Sequence, residues 1–205
     1  MPESRQSRRE RVIELLRPFD SDEWLAALQS VHSDLACDPS LAATIRIAAG
    51  SKSNAVCLCS GTASLPYAVW LRDGMAMTAR LIIHLDPANK EFATVVQQQL
   101  DSDIRLASHY QEISSFCDDI ARHRLDLVVV DLNDRNRRHC AHLLSLLSDN
   151  GLMIVVADEN VQERLHAELS NDYFFAPTGA NQQAMMLSRK GMQHRVTRRS
   201  ARRKR

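Results

Sequence analysis

From residue 54 onward the chain alternates short, continuously apolar runs with amphipathic stretches, and few folds accept that pattern. The runs are AVCLC (55–59), RLIIHL (80–85), DIRLAS (103–108), LDLVVVDL (125–132) and LMIVVAD (152–158). A strand with one wet face alternates apolar and polar residues. A run that is apolar throughout is covered on both faces, as in a parallel sheet with helices on either side. The stretches near 64–73, 88–100, 110–122, 134–148 and 160–169 supply the helical crossovers such a sheet needs. The pattern therefore predicts a doubly wound α/β sheet. Its end differs: YFFAPTG (173–179) and QQAMMLS (182–188) have only a short turn between them, which predicts an antiparallel hairpin.

The leading segment reads as helices. SRRERVIELLRPF stops at Pro18, and SDEWLAALQSVHSDL follows with Ser21 as N-cap. DPSLAATIRIAAG then places Asp38 as cap, Pro39 at the first helical position and Gly50 at the stop. The expected organisation is N-terminal helices over 1–50 packed on a main domain at 51–190, with a disordered basic tail at 191–205. A chain of 205 residues suffices for one domain with a sizeable core. Its apolar fraction of 44% and charged fraction of 25% match an ordinary soluble protein. No apolar run approaches the roughly 18 to 20 residues of a membrane span, and no secretory pattern opens the chain, so a cytoplasmic location is expected.

Five scattered cysteines agree with a reducing compartment. Cys57 and Cys59, two apart in a predicted strand, share a face and read as buried thiols rather than a metal or redox pair. The net charge of +1 hides an asymmetry. Nine of the 26 Lys and Arg residues lie from Arg189 onward with no acid among them, leaving 17 against 25 acidic residues, about −8, in the body.

Ligands of an open parallel sheet bind at the carboxyl ends of its strands, near the point where strand order reverses. Those ends carry Ser60, Gly61, Thr62, Ala63 and Ser64 after the first run, and His84 and Asp86 after the second. Ser108 and His109 follow the third, Asp131 the fourth, and Asp158, Glu159 and Asn160 the fifth. Each aspartate or serine here is also a natural helix cap, and Asp86 before Pro87 reads best as one. Asp131, Asp158 and Asn160 would together offer oxygen ligands suited to Mg²⁺.

Several segments, in order, carry a resemblance that spans roughly residues 38–190. LDLVVVDLNDRNRRHCAHLLSLLSDNGLMIVVADENV resembles the strand, aspartate, helix, "L-x-x-G-G" and "A-D-N-V" succession of the cation-dependent O-methyltransferases. These are class I S-adenosylmethionine-dependent enzymes of the catechol and caffeoyl-CoA type. APTGANQQAMMLSRK resembles their closing "P-x-G-D-G-x-x-x-x-x-K" hairpin, and LIIHLDPANKEFA their second strand with the helix after it. The resemblance implies a Rossmann-like methyltransferase sheet preceded by N-terminal helices. It implies S-adenosylmethionine held by Ser60, Gly61, Thr62, His84, Ser108 and His109, with a metal, Mg²⁺, at Asp131, Asp158 and Asn160.

The chain departs from the family pattern at four places. Glu159 stands where the family has asparagine, with Asn160 one residue on. Asp134 occupies the position of the catalytic lysine, leaving Asp131 and Asp134 as the candidate catalytic pair. His84 replaces the acid that holds the ribose hydroxyls. In the first loop the acid of "E-x-G-x-G-x-G" is absent, with Cys57 or Cys59 nearby, and Gly61 is the remaining glycine.

Two functions follow from these features. One is methyl transfer from S-adenosylmethionine to the hydroxyl of a small molecule or of a larger substrate. The other is a catalytically degenerate binding module that holds nucleic acid or another polyanion through the basic run at 189–205, which lacks aromatic residues for base stacking. A homodimer through the N-terminal apolar stripes is a further expectation. His139 and His142, three apart, are read as surface or cap residues, and Trp24 and Trp70 as packing.

Overall fold

The continuously apolar runs become the centre of a seven-stranded sheet. Its strands are β1 (Val56–Ser60), β2 (Arg80–Leu85), β3 (Leu106–Tyr110), β4 (Leu125–Asp131), β5 (Leu147–Val156), β6 (Tyr173–Thr178) and β7 (Ala184–Arg189), in the order β3-β2-β1-β4-β5-β7-β6. Neighbours among β1 to β5 run parallel, while β7 lies antiparallel between β5 and β6. The computed structural model describes residues 38–61, 64–85, 87, 103–133, 135–179 and 183–190. All of these fall within one compact unit, Leu35–Arg205. Among them no helix is long and apolar enough to cross a membrane.

Helices cover both faces, which is why the inner strands carry no polar alternation. They are α1 (Pro39–Gly50), α2 (Ser64–Gly74), α3 (Ile113–Asp119), α4 (Cys140–Ser145) and α5 (Glu159–Leu169). One face gathers Leu58, Ile82, Val128, Val130, Met153 and Leu187 with Phe116 of α3, Leu143 of α4 and Leu165 of α5. Cys57, Cys59, Leu81, Ile83 and Val129 alternate with those positions along their strands and are likewise fully buried.

α1 begins as its sequence indicates: Asp38 accepts a hydrogen bond from the Ser40 amide at 2.8 Å, and Pro39 takes the first turn. Its backbone approaches α2 closely. A Cβ on Gly74 would lie 2.3 Å from the Arg46 carbonyl oxygen, so glycine is required there. Arg46 and Asp73 close the same contact with an ion pair of 2.6 Å. The helix at 39–50, grouped by sequence with the N-terminal helices, thus belongs to the sheet's own unit. The helices expected before residue 38, with the dimer stripes and Trp24, lie outside the described residues, as do the helix at 88–100 and the basic tail.

Three element boundaries differ from expectation, each for a local reason. β3 starts at Leu106 rather than 103, because Asp103 is spent on a turn: it accepts from the Arg105 amide and guanidinium and from Arg72 of α2. The helix read over 134–148 shrinks to a 3₁₀ turn at Arg137–His139 and the short α4. Asn133 Oδ1 accepts from the amides of Arg135 and Asn136, and this side-chain turn delays the helix. β5 starts five residues early, at Leu147, with a register shift opposite Leu125. Asp126 anchors that end of the sheet, accepting from Lys52 Nζ, the Val56 amide and the Ser148 hydroxyl.

Candidate functional site

The sheet brings the polar strand ends to one edge. Ser60, His84 and His109 are register partners across β1, β2 and β3, so their side chains share a face. Ser60 Oγ lies 2.8 Å from His84 Nδ1, and His84 Nε2 lies 2.8 Å from the Gln111 carbonyl oxygen. A carbonyl only accepts, so Nε2 carries the proton and Nδ1 accepts from the Ser60 hydroxyl. The His84 ring stacks on Phe116 at 4.5 Å, and His109 meets the same ring at 5.5 Å.

Two of the expected cofactor contacts, Ser60 and His84, have side chains engaged within the fold. Ser60 and His84 are 0% and 2% exposed. Their side chains tie the ends of β1 and β2 to the residue after β3, through both ring nitrogens of His84. Ser108 is exposed and His109 half-buried on the edge strand.

Gly61 follows β1 directly and has φ +117°, a conformation in which an L side chain is strained. A Cβ there would sit 2.7 Å from Asp131 Cβ and 2.8 Å from the Asp131 carbonyl oxygen. The turn therefore packs bare backbone against the half-buried end of β4. β1 is flanked by β2 on one side and β4 on the other, which places Gly61 and Asp131 at the point where strand order reverses. The turn presents no side chain, and the space a Cβ would take is filled by Asp131. Thr62, Asp86 and Asp134 lie outside the described residues.

The remaining expected ligands are arranged otherwise. Asp158 is the N-cap of α5, its Oδ1 accepting from the Val161 amide at 2.9 Å, and Asn160 is exposed in the first turn of that helix. Among the described residues no group of three or more His, Cys, Asp and Glu is placed to hold a metal ion, and of the two aspartates in the expected set Asp158 is engaged in capping α5. Cys57 and Cys59 are buried thiols, as expected. Burial pushes Cys57 up to about 12, with Asp126 adding to the rise, and burial and then Asp131 raise Cys59. His139, half-buried, is lowered by burial and then by Arg138 and His142.

A cleft of about 780 Å³ lies between α5 and the β6–β7 hairpin. Asp158, Glu159 and Glu163 form its rim, and Phe175, Pro177 and Met185 its floor, with His166 packed on Phe175 at 4.8 Å. Sequence reasoning missed this site, although Glu159, Glu163 and His166 recur at helical spacing and mark one face of α5. It also missed Phe116 and the Gln111 carbonyl, because no sequence pattern announces a backbone acceptor for a histidine on the neighbouring strand.

No protein-family model matches the chain, and no curated protein matches it. Several solved structures match over nearly their whole length. A methyltransferase from Geobacter sulfurreducens superposes with TM-score 0.64 at 16% identity, covering 90% of this chain and 96% of that one. The O-methyltransferase TomG from Streptomyces achromogenes, in complex with SAM, gives 0.64 at 15% identity over 92% and 100%. The SAH-bound methyltransferase PaMTH1 from Podospora anserina gives 0.65 at 13% identity over 93% and 98%. The chain has the class I methyltransferase fold, a seven-stranded Rossmann-like sheet with an antiparallel closing hairpin.

Proposed function

We propose that this protein is an S-adenosylmethionine-dependent methyltransferase acting on a hydroxyl acceptor. The observation that carries the reading is the Gly61 turn, held at φ +117° against Asp131 where strand order reverses. The bound cofactor would supply a methyl group already activated on a sulfonium. The chain's task is then to align donor and acceptor and to exclude water, which is where most of the rate of such a transfer comes from. Gly61 admits the cofactor's methionine end to the backbone. Ser108 and His109, on the edge strand, are the candidate contacts for the adenine side. Asp131, at the mouth of β4, is the candidate acceptor of the hydroxyl proton, with Asp134 assigned to the same task by sequence. The ribose hydroxyls must be held by groups other than the buried Ser60 and His84 side chains. The other reading, a binding module working through residues 189–205, rests on charge in the sequence.

Calorimetric titration of the full chain with S-adenosylmethionine and S-adenosylhomocysteine tests the proposal. Binding of both at micromolar concentration, unchanged by Mg²⁺, is the expected result. A folded chain that takes up neither ligand at millimolar concentration overturns it.

A further inference from the structure

The cleft beside α5 combines acidic and apolar side chains. Its lining contains three carboxylates, one histidine and no lysine or arginine. Among the described residues neither Glu159 nor Glu163 makes an ion pair, whereas Glu168, on the same helix, is already engaged by Arg137. Phe175 and Met185 give the floor an apolar surface. Charge in the rim and an apolar floor together favour a chain that carries both characters.

The chain's own C-terminal segment has that composition and starts within reach of the cleft. Residues 191–205, GMQHRVTRRSARRKR, hold seven Lys or Arg, no acid, and the apolar Met192 and Val196. The described chain ends beside α5: the Lys190 amide donates to the Asp172 carbonyl at 2.9 Å, and its ammonium to the Ser170 carbonyl. Ser170 is the C-cap of the helix whose N-terminal half rims the cleft. An 11-residue helix is about 16 Å long, whereas fifteen extended residues span about 50 Å, so reach is ample.

We propose that this cleft is the docking site of residues 191–205, with arginines of the segment paired to Glu159 and Glu163 and its apolar residues on the Phe175 floor. The occupant is intramolecular. Because its pairs lie at an exposed rim, docking weakens as salt screens them.

The test uses the full chain, ¹⁵N-labelled, with Cys37→Ser and a nitroxide on Ser200→Cys. Paramagnetic broadening is expected at the amides of α5 from Glu159 to His166 and at Phe175. It should fall at least about fivefold between about 50 and 500 mM salt. The double variant Glu159→Gln, Glu163→Gln, at exposed positions whose folding its own spectrum verifies, should lose the broadening as well. Broadening centred elsewhere, broadening unchanged by the double variant, or none at low salt overturns the proposal. So does equal broadening when a nitroxide-bearing unlabelled chain is mixed with ¹⁵N-labelled chain, which would assign the cleft to a second copy's segment.

Discussion

At the scale of single residues, Gly61 is fixed by its backbone and His84 by the partners of its side chain. Gly61 combines a backbone conformation reserved for glycine with Asp131 atoms inside 3 Å of where a Cβ would stand. Gly61→Ala adds both backbone strain and overpacking, and should cost about 3 kcal/mol of stability, read as a lower urea midpoint at unchanged slope. A loss below about 1 kcal/mol would mean the turn relaxes and does not hold the strand ends together. His84 is the opposite case. At that position the family resemblance implied a ribose contact, but the imidazole is satisfied by Ser60 and Gln111 and stacked on Phe116. A histidine that finds two partners inside the fold needs none from a ligand.

At the scale of elements, side-chain anchors decide where strands begin. Asp103 joins Arg72 of α2 to Arg105 just before β3, with side chains 9% and 14% exposed. Burial alone would raise its carboxyl, but hydrogen bonds from Arg105 and Arg72 outweigh that and hold it well below the usual carboxylate range. Asp103→Asn should therefore cost about 2 to 3 kcal/mol near neutral pH, since two largely buried guanidiniums lose their counter-charge. The folded carboxyl is depressed, so its contribution is complete above the unfolded value of about 3.9 and fades as pH falls below it. The gap between wild type and variant in urea titrations should stay constant at neutral pH and close under acid. A gap that widened in acid would contradict the assignment. These anchors also mark what the sequence could convey. β1, β2 and β4 were legible because burial on both faces leaves a continuous apolar run, and the closing hairpin because its strands sit so close in sequence. The start of β3 and the shortened helix after Asn133 were not, since each depends on a side chain capturing backbone or guanidinium donors. At the candidate site, Asp131 and Gly61 could be placed from strand ends alone. The capping role of Asp158 was legible only as an alternative to ligation, because capping and ligation ask for the same residue in the same place.

At the scale of the whole molecule, the buried thiols set how stability responds to alkali. Cys57, Cys59, Cys117 and Cys140 are each at most 1% exposed and lie on both faces of the sheet. Burial pushes Cys57 and Cys140 up to about 12 and Cys117 to about 11, with Asp126, Glu168 and Asp118 respectively as second causes. Once the chain unfolds, these thiols ionise near 8.5. A raised folded value gives stability that is complete below the unfolded value and is lost as pH climbs toward the folded one. Stability should thus hold steady to about pH 8 and then fall progressively, each thiol contributing up to about 1.4 kcal/mol per pH unit above its unfolded value. Thiol labelling of the Cys37→Ser chain provides the check, because the thiolate is the reactive form and here it forms only on opening. Under native conditions the four thiols should label at one common rate that follows global unfolding and accelerates with urea. One thiol reacting fast while the sheet remains intact would show that its part of the core opens alone, and the two faces would then not unfold as a single cooperative unit.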